Sequence, residues 1–311
     1  MPVPVILDCD PGVDDALAIV LAAADPAIDL LAITTVAGNV GLDKTTRNAR
    51  RVCDLAGITG VPVAAGCDRP LAQDPHISDH THGESGLGPL TVGEPETPLA
   101  GEHAVDLIHR LLGESETPVT IIAVGPLTNI ATLFRRYPGD RSRVARVVIM
   151  GGSTERGNAM PYAEFNTYAD PEAADEVLRS GVPTVWHGLN VTYQALATPD
   201  IIESIAALGT PLADACVQLM TYYAESYRTV WRVPHPPVHD AVAVAYVIDE
   251  SLIECAHTAL RVELRGEHTR GATVADLLGR TDWEPNAHVG VTLDAARFWP
   301  LLVSAIRTLG A

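Results

Sequence analysis

Leu7 to Asp15 reads LDCDPGVDD, which puts the carboxylates Asp8, Asp10, Asp14 and Asp15 within eight residues, between an apolar run and a helical one. Asp8 and Asp10 are two apart and share a face in extended chain. Pro11 and Gly12 turn the chain, so that Asp14 and Asp15 fall in the first turn of a helix, where free N–H groups and the helix dipole favour negative charge. That environment relieves two carboxylates at most. Four converging ones titrate as a coupled set with raised pKa values unless a cation compensates. An acidic capping turn on the surface is the plainer reading, but its position after a buried strand favours a cation. Oxygen donors with no paired Cys or His suit Ca²⁺ or Mg²⁺ better than Zn²⁺, and the spacing is not that of an EF-hand. PVHDAVAVAYV offers Asp240 to close a coordination sphere and places His239 beside the same cavity.

Two further segments point to a polar ligand. TTVAGN sets Asn39 after a strand, and GGSTERGNAMPYAEFN sets Asn158, Glu164 and Asn166 after another. Amides and a carboxylate in one pocket suit neutral hydroxyls such as those of a sugar. Each residue alone would read as a turn or cap; their shared placement after strands is what gives them weight.

The elements that must hold these residues alternate. Strand-like runs fall at 3–8, 28–36, 61–66, 119–125, 144–152 and 182–188, with helical periods at 14–24, 42–56, near 100–113, 127–136 and 171–180. Apolar strands joined by helices imply an open, mostly parallel central sheet flanked by helices, an α/β class that binds ligands beyond the carboxyl ends of its strands. From 192 to about 250 the chain reads as mainly helical around the loop VWRVPHPPVHD. AHTALRVELRG and AHVGVTLD suggest a strand pair, and 294–308 a closing helix. With no repeat or linker, one domain over 1–311 is expected. The Pro-, Gly- and His-rich stretch 67–98 is long for a loop inside a domain, a feature associated with function.

A formal net charge of −18 with Lys44 as the only lysine argues against a nucleic-acid polymer or an anionic membrane as partner. Aromatic residues are 5% of the chain against 47% hydrophobic, so the core is expected to be aliphatic. Five widely spaced cysteines without a C-x-x-C pair indicate a reducing compartment. MPVPVILDCD lacks the basic and long apolar regions of a secretory signal, and a cytoplasmic enzyme is the expectation. Two rivals share the D-x-D feature or the pocket. An Asp-nucleophile phosphohydrolase needs a cation near the phosphate, which Lys44 is poorly placed to supply. A non-catalytic, Ca²⁺-dependent sugar-binding protein has the same pocket but activates no water.

With these residues in place, the chain resembles the inosine-uridine-preferring nucleoside hydrolase family. DCDPGVDD is joined in order by TTVAGN, HGESGLG, GPLTNIA, MGG, EFN and HD, spanning nearly the whole sequence. The resemblance implies a Rossmann-like nucleoside hydrolase fold and hydrolysis of ribonucleosides to ribose and free base in purine or pyrimidine salvage. It also implies Ca²⁺ held by Asp10, Asp15, Asp240 and the Val124 carbonyl. Asp10 is then the base that activates the metal-bound water, and His239 assists the leaving base. Asp14, Asn39, Glu164 and Asn166 match sugar-binding positions, and Asn158 and Met150 line the ribose pocket. His82 matches a histidine near the nucleobase that some subgroups use, in place of or beside the position of His239, to activate the leaving group. A homodimer or homotetramer is implied as well. GLNVTY stands where the family usually has GLDVTH, which places a local packing change at Asn190 and Tyr193. Tyr222, Tyr223, Tyr227, Trp231 and Arg232 are candidates for the wall around the base. The base must leave as an anion or be protonated, and a histidine titrating near 6–7 can protonate it near neutral pH.

Overall fold

Strand β1 (Val3–Cys9) buries Val5, Leu7 and Cys9 in one hydrophobic layer and Ile6 in the other, as a strand covered on both faces must. The computed structural model describes residues 1–311, except the side chains of Asp79 and His80. After β1 come α1 (Val13–Ala24), β2 (Ile28–Thr35), α2 (Leu42–Leu55), β3 (Val63–Ala65) and a short α3 (Asp79–His82). The chain continues through α4 (Ala104–Glu114), β4 (Val119–Ala123), α5 (Thr128–Arg136), β5 (Val144–Met150), α6 (Phe165–Ala169), α7 (Pro171–Leu178) and β6 (Thr184–His187). Helices α8 (Leu189–Thr192), α9 (Pro199–Ala206), α10 (Pro211–Ser226) and α11 (Asp240–Ile248) precede β7 (Ile253–Thr258), β8 (Leu260–Val262), β9 (Thr273–Ala275), β10 (Ala287–Leu293) and α12 (Ala295–Leu309).

Eight strands form one sheet in the order β3-β2-β1-β4-β5-β6-β10-β7, parallel throughout except where β7 runs antiparallel to β10. Helices α1, α10, α11 and α12 cover one face, and α4, α5 and α7 the other. The chain order reverses between β1 and β4, so the segments leaving those two strands splay apart and open a crevice at their carboxyl ends. Asp10 follows β1 and Val124 follows β4, one on each side of that crevice.

Two segments differ from the sequence reading. AHTALRVELRG is not one strand: β7 stops at Thr258, and β8 leaves the main sheet to pair with β9. Asn286 accounts for the break, because its side chain bonds both the N–H and the C=O of Leu260 and takes the place of a neighbouring strand. The loop expected at 230–240 begins as a wide π turn at Tyr227–Trp231. Arg232 ends it in the left-handed region (φ 57°), and Pro234, Pro236 and Pro237 prevent helix from resuming. Among the described residues no helix is long and apolar enough to cross a membrane.

Candidate active site

The turn after β1 is held by its own side chains. Asp15, in the first turn of α1, reaches back so that Oδ2 accepts from Gly12 N at 2.9 Å and Oδ1 from Asp10 N at 3.0 Å. Asn39, from the segment after β2, donates its N–H to Asp10 Oδ2 at 2.7 Å. Its amide reaches Asp10 O and Asp15 Oδ2, both at 3.1 Å. The Asp10 carboxylate sits against the backbone of Gly38 and Gly125. A Cβ on Gly38 would lie 2.1 Å from Asp10 Oδ2, and one on Gly125 2.6 Å from Oδ1. Only glycine allows this approach.

Helix α11 begins at Asp240 and brings that carboxylate to the turn from the far end of the sequence. Ligand oxygens of Asp14, Asp15 and Asp240 all lie within 4.8 Å of one another. Asp10 falls outside that group, yet its Oδ1 is buried without a hydrogen-bond partner. Burial, then the charge of Asp15, pushes Asp10 well above the ordinary carboxylate range. The same two causes push Asp14 up to about 8. Burial followed by the charge of Asp14 raises Asp240 strongly, and burial raises Asp15. An orphaned buried oxygen and a knot of raised carboxylates fit a hard divalent cation, which would satisfy the first and ionise the second. The clustered group therefore includes Asp14, which the sequence reading assigns to the sugar. Asp8 is diverted from it: Oδ1 accepts from Thr34 Oγ1 at 2.6 Å and from Asn129 Nδ2 at 2.7 Å. Two hydrogen bonds toward β2 and α5 explain why four nearby carboxylates do not form one set.

Above this floor lies a cavity of about 170 Å³. Asp14, Asn39, His82, Val124, Met150, Asn158, Glu164, Asn166, His239 and Asp240, all singled out in the sequence, line it. Asp10 and Asp15 are fully buried and are not among its lining residues. Several of the lining groups are themselves engaged. Glu164 caps α6, accepting from Asn166 N, Thr167 N and Gly152 N at 2.8–3.1 Å, while burial pushes it up to about 7. Asn166 Nδ2 donates to the carbonyls of Val124 (2.8 Å) and Met150 (3.0 Å), tying the ends of β4 and β5 together. Asn158 Oδ1 accepts from Phe165 N at 2.8 Å.

His76, Ser78, Thr81, Ala159 and Phe165 also line the cavity and were missed in the sequence. The first three lie in the 67–98 stretch, whose length was the one available signal. Of the wall candidates, Tyr223, Tyr227 and Trp231 reach the cavity; Tyr222 and Arg232 do not. Tyr222 instead packs behind the glycine-rich turn at 83–88, since a Cβ on Gly88 would come 2.6 Å from its ring.

His239 is held by hydroxyls on both sides: Nδ1 lies 2.7 Å from Thr192 Oγ1 and Nε2 2.7 Å from Tyr227 Oη. Tyr227 is hydrogen-bonded to Tyr223, and Tyr223 to Asp14. Burial, with a smaller effect of nearby His82, pushes His239 down to about 3. The expectation of a histidine titrating near 6–7 therefore fails at this position, because an imidazolium there would be stripped of water. Tyr193, where the resembled motif has histidine, packs edge-on against His239 at 5.3 Å between ring centroids. His82 Nδ1 accepts the Val13 N–H at 3.1 Å, which seats its ring on the amino end of α1.

Residues 5–300 match the model of a family described as inosine-uridine preferring nucleoside hydrolase. The inosine-uridine preferring nucleoside hydrolase of Crithidia fasciculata is 44% identical over 312 residues, covering 100% of this chain and 99% of the relative. The pyrimidine-specific ribonucleoside hydrolase RihA of Escherichia coli O1:K1 is 41% identical over 308 residues, with 99% of each chain covered. Among solved structures, the purine-preferring ribonucleoside hydrolase from Gardnerella vaginalis superposes with a TM-score of 0.92 at 31% identity, again over 99% of each chain.

Proposed function

The chain belongs to the inosine-uridine preferring nucleoside hydrolase family and is a glycosidase, and from that premise we propose that it is a Ca²⁺-dependent ribonucleoside hydrolase in which Asp10 is the general base. The observation that carries the reading is the buried, unpartnered Asp10 Oδ1 beside the Asp14, Asp15 and Asp240 group, beneath a cavity lined by amides and a carboxylate.

Asp10, Asp15, Asp240 and the Val124 carbonyl would hold the ion, with Asp14 close enough to share in it. Calcium bound there supplies positive charge among the carboxylates, a seat for a vicinal diol and a lowered pKa for water. Asp10 is oriented for proton transfer. Its Oδ2 is fixed by Asn39 N, which leaves Oδ1 to take a proton from the water that attacks C1′. Asp14, Asn39, Glu164 and Asn166 position the ribose hydroxyls, with Met150 and Asn158 beside them. The surrounding carboxylates favour the positive charge that develops on the ribose as its bond to the base breaks.

The leaving base needs a proton, and an isolated imidazolium at position 239 is too costly. Neutral His239 instead holds the hydroxyl of Tyr227, which lines the cavity and gives its proton to the leaving base, and the proton that Asp10 takes from water restores it through solvent. His239→Ala is expected to lower inosine hydrolysis about 10²–10⁴-fold, the usual worth of general acid catalysis. Hydrolysis of a nitrophenyl riboside, whose leaving group needs no proton, should change little. Equal losses on both substrates would sink the proton-donor role.

The reading as a whole is tested by incubating the protein with inosine, adenosine, guanosine, uridine and cytidine in calcium buffer and measuring reducing sugar. Release of ribose from at least one of them is expected. Tight nucleoside binding with no release would favour the non-catalytic binder instead.

A further inference from the structure

We infer that Asn48, on α2 and outside the cavity, is a positioning residue that docks the turn after His82 against the Asp10–Asp15 turn; the proposal rests on the hydrolase reading above only for its kinetic consequence. Asn48 is 1% exposed. Its Nδ2 donates to two carbonyls from opposite directions in the sequence: Pro11 O at 3.0 Å, inside the carboxylate turn, and Ser85 O at 2.8 Å, three residues after His82. One amide thus joins the two segments that meet where His82 rests on Val13 N.

The neighbouring residues show how specific the arrangement is. Lys44, one helical turn before Asn48, donates to Glu84 O at 2.8 Å, and Arg51 donates to Gly93 O at 2.9 Å. Positions 44, 48 and 51 lie on one stripe of α2, which grips the loop carbonyls of Glu84, Ser85 and Gly93. This gives the sole lysine a use. Gly86 adopts φ +88°, and a Cβ there would lie 2.6 Å from Asn48 Nδ2 and 3.2 Å from Pro11 O, so only glycine lets the loop come this close. Asn48 Oδ1 is buried without a partner. An interior amide with one end unsatisfied carries a desolvation cost, which the two hydrogen bonds at its other end offset.

The two segments depend on Asn48 unequally. The carboxylate turn is already fixed by Asp15 and Asn39, whereas at 82–88 the backbone is held by Asn48, Lys44 and its own short-range bonds. Removing Asn48 should therefore loosen the loop and the base end of the cavity while leaving the floor in place.

The experiment compares wild type, Asn48→Ala and Gly86→Ala in calcium buffer by hydrogen exchange and by kinetics on inosine and a nitrophenyl riboside. Both variants are expected to exchange faster over 82–90, with protection of β1 and β4 unchanged. Inosine kcat/KM should fall by about 10–100-fold, the scale of an ångström misplacement. The nitrophenyl substrate should lose less than about threefold, since it needs the floor but not the Tyr227 proton donor, whose partner Tyr223 packs against His82 at 5.4 Å between ring centroids. Unchanged exchange over 82–90, or equal losses on the two substrates, overturns the proposal. A wild type inactive on all five nucleosides would remove the hydrolase reading, and activity on another of them would move the kinetics to that substrate. In either case the exchange measurement would still decide whether Asn48 docks the loop.

Discussion

Asp10→Ala should lower kcat for ribonucleosides about 10²–10⁴-fold even at saturating calcium, with the fold retained. In the proposed mechanism Asp10 both holds the ion and accepts a proton, and the variant separates these roles. If the carboxylate were only a ligand, its loss would weaken calcium affinity and excess calcium would restore turnover. As a base it cannot be replaced by added ion. Asp14, Asp15 and Asp240 remain grouped without it, so calcium binding should be weakened and not abolished. The carboxylate is well oriented for proton transfer, because Asn39 N fixes one oxygen and Oδ1 is left without a protein partner. Full recovery of kcat with calcium, followed with a calcium titration by calorimetry, would refute the base assignment.

Chelation should abolish activity and destabilise the protein, the second effect growing with pH. Asp14 is raised from 3.8 to about 8 and Glu164 from 4.5 to about 7, in each case chiefly by burial. A carboxyl group whose folded pKa exceeds its unfolded value binds more protons in the native state. Its contribution is therefore fully present below about pH 4 and is lost as pH rises through the folded value. The calcium-free protein should thus weaken between about pH 4 and 8, as these carboxylates ionise unpaired. Bound calcium opposes this by favouring the ionised cluster, and its uptake releases protons. At about a hundred times its dissociation constant an ion adds about 2.7 kcal/mol. At about 2–4 °C per kcal/mol, the drop in Tm on chelation at pH 8 should be roughly 5–10 °C. At pH 5 it should be clearly smaller, because protons partly replace the ion. Scanning calorimetry with and without chelator at the two pH values measures this directly, and an equal drop at both would mean that the carboxylates are not the ion's site.

Much of the fold was legible because its signals are local. Short apolar strands alternating with helical periods gave the parallel sheet, and the residues placed after β1, β2, β4 and β5 do converge on one cavity. The strand break at Ala259 was not legible, since it depends on Asn286, distant in sequence, occupying the backbone of Leu260. Nor was the role of the 67–98 stretch beyond its length. His76, Ser78 and Thr81 have no periodic pattern, and they reach the cavity because the loop is folded over it.

The sequence by itself determined which chemistry is available: oxygen donors without paired thiols or imidazoles, amides after strands, and a histidine beside an aspartate on a late helix. Those are properties of residue type and spacing along the chain. The tertiary structure decided which of these groups share a charge and which are kept apart. Asp8 is turned toward Asn129, Asp14 joins Asp15 and Asp240, and His239 is buried between two hydroxyls and held down to about 3. Burial and distance in space set the cost of every ionised group, and neither can be read along the chain.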